Sequence, residues 1–475
     1  MAKSKIMFGE WLPDQPGVSG AVTDAVNCYP VSNGYAPFQG EANYSNTAGA
    51  DLLTSFAGRF GSVITVFAAS ASNLYKFDAG DTSLDPLTTT GYAAIEYWDV
   101  TQYGNKMIAA NGADKLQAYE LGVSTYFGDL AAAAPQAKYV TVVKDFVVAA
   151  NVAGGNESTV YWSDINDETD WTPGAASQSD TQVIPDGGDI TGLAGGEFGL
   201  IFLERAIYRM TYAGSPFFFQ FDAISRTLGC LAPGSVAQFG GLTYFLADDG
   251  FYMTNGESMT NIGEEKVNRW FFDRVQRSNM RYAISSAVEP IKKLVIWCYP
   301  LQSGGYELLV YSIPLQKWSY VQTTAAAINT LMTATVTLEN LDNYSASLDA
   351  LVVSLDDPQW AGGILIFAGV SGQRIITFGN SKKTASVVSG DIDVGRSTVL
   401  LAKPIVDGGS ASVAVASRDL LSEQVLFGDA VAADAENRCS LRSNGEYHRI
   451  KVTATGTNWK TLVGTEVEVV QQGTR

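Results

Sequence analysis

Residues 292–320 read KKLVIWCYPLQSGGYELLVYSIPLQKWSY. Two apolar runs flank a Gly-Gly turn, and Tyr311 sits in the second run, so the stretch reads as a β-hairpin. The same pattern, an apolar run, a Gly- or Asp-bearing turn and a second strand with an aromatic, recurs upstream. It appears in VITVFAASASNLYKFDAG (63–80), KMIAANGADKLQAYELG (106–122), FVVAANVAGGNESTVYWSD (146–164), GLIFLERAIYRMTYAG (199–214) and GLTYFLADDGFYMTNG (241–256). The second strands centre near Tyr75, Tyr119, Tyr161, Tyr208 and Tyr252. Their spacing of about 45 residues is that of a four-stranded propeller blade. A further unit, GGILIFAGVSGQRIITF (362–378), resembles the inner part of one more. A small sheet cannot bury both faces alone, so stacked sheets must share a core, and circular closure protects their edges. The sequence therefore predicts an all-β chain with a β-propeller-like domain of six or seven blades over residues 60–384.

The flanks differ in texture. Residues 1–59 are rich in Gly, Pro, Asn and Tyr with little periodicity, and read as an extended N-terminal arm with short strands. From 385 to 475 the alternation is even, as in TVLLAKPIVD, ASVAVASRD, YHRIKVTAT and TEVEVVQQ, which predicts a C-terminal β-sandwich. One helix is expected in GEEKVNRWFFDRV (263–275). Val267, Trp270, Phe271 and Val275 fall at helical spacing, with Glu264 and Glu265 placed to favour its dipole.

Hydrophobic residues make up 46% of the 475 and charged ones 17%, which excludes a disordered chain. The net charge of −18 disfavours ordinary nucleic-acid binding and anionic membrane surfaces. An acidic wall suits DNA in one way, as a conduit that does not hold its cargo. No apolar run reaches spanning length and the N-terminus lacks a signal-like core, so a soluble protein made in the cytoplasm is expected. Cys28, Cys230, Cys298 and Cys439 lie far apart, which predicts four reduced, mostly buried thiols rather than a zinc site.

Motifs that carry chemistry are few. In STVYWSDINDETDWTPG (158–174), Asp164, Asn166, Asp167 and Asp170 invite a calcium loop. A loop begun at Asp164 needs Gly at its sixth position and Glu at its twelfth; Thr169 and Ala175 stand there. Calcium in another geometry stays open, beside the simpler reading that these residues close a turn under Tyr161, Trp162 and Trp171. His448 is the single histidine, so a Ser-His-Asp triad would depend on it. Period 2 instead places it with Ile450 and Val452 on one half-buried strand face. Paired-carboxylate chemistry is not marked by any spacing, and no P-loop or GxGxxG occurs. One basic cluster, Arg438, Arg442, Arg449 and Lys451, is a candidate docking site for an acidic partner.

The N-terminus contains Pro13-Asp14-Gln15-Pro16, Asn27-Cys28-Tyr29-Pro30 and Gly34-Tyr35-Ala36-Pro37. It resembles the opening of tail proteins of short-tailed bacteriophages. VYWSDINDETDWTP ahead of GGDITGL (187–193), the EEKVNRWFFDRV helix and the ending GEYHRIKV…W…GTEVEV are similar to the same family, so the resemblance covers most of the chain. The closest role is the podovirus tail nozzle, also called tail hub or packaged-DNA stabilisation protein. The resemblance implies a structural virion protein and not an enzyme, without cofactor or metal. It implies a homo-hexameric ring below the portal's tail adaptor, next to tail spike or fibre and needle or tip proteins. That ring would retain packaged DNA and conduct double-stranded DNA at ejection. On this reading the acidic turns bearing Asp186, Asp189, Asp248 and Asp249 are candidate lumen-facing groups. The alternative is a tail-associated propeller glycosidase or carbohydrate-binding module, whose stacking faces would be Trp162, Trp171, Trp318 and Trp360.

Overall fold

The computed structural model describes residues 2–88, 90–334, 345, 347–351, 354 and 362–472. Most of them lie in antiparallel strands, and six separate four-stranded sheets stand in sequence around a ring. Blade 1 holds Leu52–Phe60, Val63–Ser70, Leu74–Phe77 and Leu84–Pro86; blade 2 runs from Asp99 to Asp129 and blade 3 from Ala137 to Val183. Blade 4 spans Ile190 to Ser225 and blade 5 spans Ala237 to Asn261. A further four-stranded unit, Ser285–Glu289, Leu294–Pro300, Tyr306–Ser312 and Lys317–Thr323, packs between blade 5 and the last sheet. It occupies a seventh position, and its outer strand continues into the C-terminal sheet. The hairpin of residues 292–320 forms its middle strands, with Leu294 opposite Ser312 and Pro300 opposite Tyr306.

The last sheet contributes Ala327–Met332, Leu365–Ser371 and Arg374–Thr377 from its own stretch of chain. Its fourth strand is Ala42–Asn43, pairing Asn43 with Ile376 and Ala42 with Thr377. The arm thus closes the ring, and removes an open sheet edge that would otherwise pair with other chains. The first blade also starts earlier than residue 60. Its inner strand begins at Leu52, and its buried positions fall at every third residue rather than every second. The alternation that marks a strand is therefore absent from the sequence there.

The rest of the arm joins propeller to C-terminal domain. Ala2–Met7 pairs with Thr461–Gln471. Asp24–Val26 lies between the outer strand of the seventh unit and Ala385–Val388. The hairpin Cys28–Val31 and Gly34–Pro37 reaches the last strand through Tyr35 opposite Leu462. Gly34 has φ of 127°, and a Cβ there would collide with the Leu462 carbonyl, so this joint requires glycine.

In the C-terminal domain the long strands Ile392–Asp407 and Cys439–Thr455 carry register shifts where they bend. One end of Cys439–Thr455 pairs with Ile392–Asp407, and the other with Ser410–Arg418 and Ala385–Val388. The predicted sandwich is thus one hydrogen-bonded sheet bent around a shared interior that includes Val399, Val413, Ile450 and Val467.

The expected helix forms as α1, Asn268–Arg274, with Phe271 buried. Glu264 and Glu265 fall in the preceding turn rather than in its first turn, which contains no acidic residue. The counter-charge comes from the arm. Asp14 accepts hydrogen bonds from the amides of Arg269 at 3.0 Å and Trp270 at 2.8 Å, closing orphan donors that Val267 cannot cap. Asp14→Ala is expected to cost about 1 kcal/mol, with faster hydrogen exchange at the Arg269 and Trp270 amides. Unchanged exchange there would remove Asp14 from the cap.

Candidate functional site

Inner strands of blade 1, blade 2, the seventh unit and the last sheet border a cavity of about 470 Å³ at the end of the ring where those strands start. Leu52–Phe56, Ile95–Val100 and Ala326–Thr330 line it, together with the 3₁₀ turn at Pro233 and the helical turn Met280–Ala283. Its polar groups come from different blades. Asp99, from blade 2, accepts hydrogen bonds from Val100 N at 3.1 Å and Val140 N at 2.9 Å. Burial outweighs these donations and pushes its carboxyl up to about 7. Asn329 accepts from the Ser55 hydroxyl at 2.9 Å, while its amide nitrogen has no partner among the described residues. Tyr97 and Tyr282 lie with ring centres 6.4 Å apart. The Tyr139 hydroxyl, on a side chain 1% exposed, is likewise unpartnered and lies near Asp99, Tyr282 and Arg281. The arrangement can hold a proton near neutrality and offer hydrogen bonds to water or a small polar guest.

A carboxyl raised in the folded state binds its proton more tightly there than in the unfolded chain. Its contribution to stability therefore falls as pH rises from about 4, the ordinary aspartate range, to about 7, and is level above that. Relative to wild type, Asp99→Asn should gain stability over that window in chemical unfolding. A constant difference across the window would show that Asp99 is not the group held.

His448 is fully buried rather than half-buried, on the face with Ile450 and Val452. Its ring nitrogens lie 3.0 Å from the Ser397 hydroxyl and 2.7 Å from that of Ser417, which in turn lies 2.6 Å from Ser443. Hydroxyls, not a carboxylate, orient the imidazole, so no Ser-His-Asp triad is assembled. Burial lowers its pKa and favours the neutral ring.

The four basic residues do not form one patch. Arg449 holds Asp391 through two bonds of 2.7 and 2.9 Å, and Arg418 reaches the same carboxylate at 2.7 Å. Burial raises the Asp391 pKa, but the two guanidiniums outweigh it and hold the carboxyl below its ordinary value. Arg438 pairs with Glu436, Arg442 is exposed, and Lys451 is half-buried in the strand.

The acidic turns with Asp186 and Asp189 and with Asp248 and Asp249 lie on the face of the ring that holds the cavity mouth, but none lines the cavity. Asp186 pairs with Arg226 at 2.8 Å, and Asp249 accepts the Tyr252 hydroxyl at 2.8 Å.

The acidic loop after Trp162 sits on the opposite face, and its side chains brace its own backbone. Asp164 accepts from Gln178 N, Asp167 from Thr169 and Asp170 from Thr172 N. Among the described residues no group of three or more His, Cys, Asp or Glu is placed to hold a metal ion. Trp162, Trp171 and Trp318 are buried and offer no stacking face; Trp360 lies outside the described residues. All four cysteines are free and buried.

Sequence reasoning missed the cavity groups and the Asp391 pairing. Asp99 and Asn329 lie in short inner strands and Asp391 in the link before Ile392–Asp407, and only closure of the ring and bending of the sheet give them partners.

No family model matches the chain, and no curated protein matches it. Solved structures similar to it include the WD40 repeats of RRP9, 9% identical, covering 73% of this chain and 99% of that one, with a TM-score of 0.41. The β-propeller domain of Swd1 (Cps50) from Myceliophteria thermophila is 10% identical, covers 72% and 100%, and has a TM-score of 0.44. The computationally designed Ika8 protein is 10% identical, covers 70% and 98%, and has a TM-score of 0.36.

Proposed function

We propose that this chain is a structural virion subunit, a tail nozzle of a short-tailed bacteriophage. Six copies would form a ring that continues the portal–adaptor channel, helps retain packaged DNA and conducts it at ejection. The observation that carries the reading is spatial. Segments far apart in sequence that bear the family resemblance meet in one joint. Asp14, from Pro13-Asp14-Gln15-Pro16, caps α1 of EEKVNRWFFDRV, and Gln15 donates to the Glu265 carbonyl. Gly34-Tyr35-Ala36-Pro37 pairs with the strand that carries GTEVEV. The motifs serve the joint between propeller and C-terminal domain, as expected of a scaffold rather than a catalyst. The acidic turns on the same face of the ring as the cavity mouth fit a conduit, because repulsion over a screening length of about 8 Å centres a duplex without gripping it.

The test is a particle made without this chain. Heads should fill with DNA and then lose it, with adaptors present and spikes or fibres missing. Particles that retain DNA and infect normally would overturn the reading. The alternative, a glycosidase or sugar-binding propeller, would depend on the cavity. Cleavage of host polysaccharide that is lost in Asp99→Asn would favour it.

A further inference from the structure

Two surfaces of this chain are apolar and exposed, one carrying acidic residues and the other a pair of lysines. The first is the connection between Ser410–Arg418 and Val431–Ala432. Within residues 419–430, Leu420, Leu421, Leu426 and Phe427 are exposed, Leu426 to 69%. The segment also carries Asp419, Glu423 and Asp429 and no basic residue. It is held in shape. Arg418, anchored on buried Asp391, donates to the carbonyls of Leu421 and Glu423 at 2.8 Å. The Glu423 carboxylate accepts the amides of Asp419 and Leu420, and Gly428 N donates to Val415 O. A long loop that displays leucines while its base is fixed has already lost much of the entropy that docking costs.

The second surface is on the propeller, at the end of the ring opposite the cavity mouth. The turn Pro290-Ile291-Lys292-Lys293 separates two grooves of about 210 and 380 Å³. Leu365 lines both, Phe367 and Phe378 line the smaller, and Phe239 and Val288 line the larger. Ile291 is 70% exposed and Lys293 is exposed beside it.

We infer that the 419–430 loop of one copy seats in the grooves around Ile291 of the next copy, with Asp429 and Glu423 facing Lys292 and Lys293. The occupant is a second copy because the acidic apolar loop complements the apolar grooves and the Lys292-Lys293 turn between them on one chain. They belong to different domains, so a copy can offer its loop to one neighbour and its grooves to another, a head-to-tail contact that forms a ring where its rotation closes. This inference rests on the ring reading and specifies its interface.

The native cysteines are buried, so a Leu426→Cys, Ile291→Cys double variant supplies the exposed thiols. Oxidised in assembled rings, it should give a denaturing-gel ladder from dimer to the full ring, absent from either single variant. Leu426→Asp should weaken self-association on the order of tenfold or more with unchanged melting. Lys292→Asp should weaken it too, and Asp429→Lys combined with Lys292→Asp should restore part of the loss. Rings that form normally in Leu426→Asp, with no ladder from the oxidised double-cysteine variant, would overturn this interface and leave the ring standing. A wild-type chain that stays monomeric, alone and with portal–adaptor complex, would overturn both.

Discussion

Trp11→Ala is expected to cost about 3–5 kcal/mol, the range for emptying a fully buried tryptophan site. Trp11 is inaccessible to solvent, although it belongs to an arm with little apolar periodicity. Its ring meets Trp270 edge-on at 4.8 Å and Tyr320 at 5.4 Å, and its indole N–H donates to Thr23 O at 3.2 Å. These partners belong to α1 and to the outer strand of the seventh unit, so one side chain joins three segments. Its removal leaves a cavity lined by rings that cannot collapse, because each is held by its own strand or helix. Chemical unfolding should show the loss, and limited proteolysis should cut first within residues 1–40. Trp11→Phe should recover much of it. A loss below about 1 kcal/mol would mean that the arm is not part of the core.

Asp391→Ala should be as damaging for a different reason. Its side chain is 3% exposed and serves two guanidiniums that are themselves largely covered. Removing the carboxylate leaves two buried positive charges facing each other, and breaking such a pair costs about 3–5 kcal/mol. The same carboxylate sets a pH dependence. Its folded pKa lies below the unfolded value, so its contribution is complete above about pH 4 and is lost as pH falls further. Asp391→Ala should flatten that acid limb while lowering stability at pH 7. The Gly17 carbonyl accepts the Asp391 amide, so the variant should also loosen the arm near Gly17. A variant as stable as wild type would mean that the arginines find other partners at no cost.

Much of the fold was legible because blades repeat. Each needs an apolar second strand and an aromatic third strand, and Tyr75, Tyr119, Tyr161, Tyr208 and Tyr252 occupy that third strand. What escaped was non-local. Ala42–Asn43 closes the ring across more than 300 residues of chain, and two residues carry no periodicity. Leu52–Phe60 hides its role because an inner strand faces blades on both sides and a cavity along one edge. Glu264 and Glu265 looked like the helix's charge partners by proximity, yet the cap is Asp14, about 250 positions away. Arg449 looked like a docking residue because its parity on the strand does not reveal Asp391. The burial of His448 was legible in part, since alternation already grouped it with Ile450 and Val452.

The proposed role makes this propeller one subunit of a DNA-conducting ring. The most direct measurement is electron microscopy of the purified chain mixed with the portal–adaptor complex of the phage proposed to encode it. The account predicts a sixfold ring with an open central pore, coaxial with the adaptor. Isolated propellers that leave the adaptor bare, or a ring with no pore wide enough for a duplex, would contradict it.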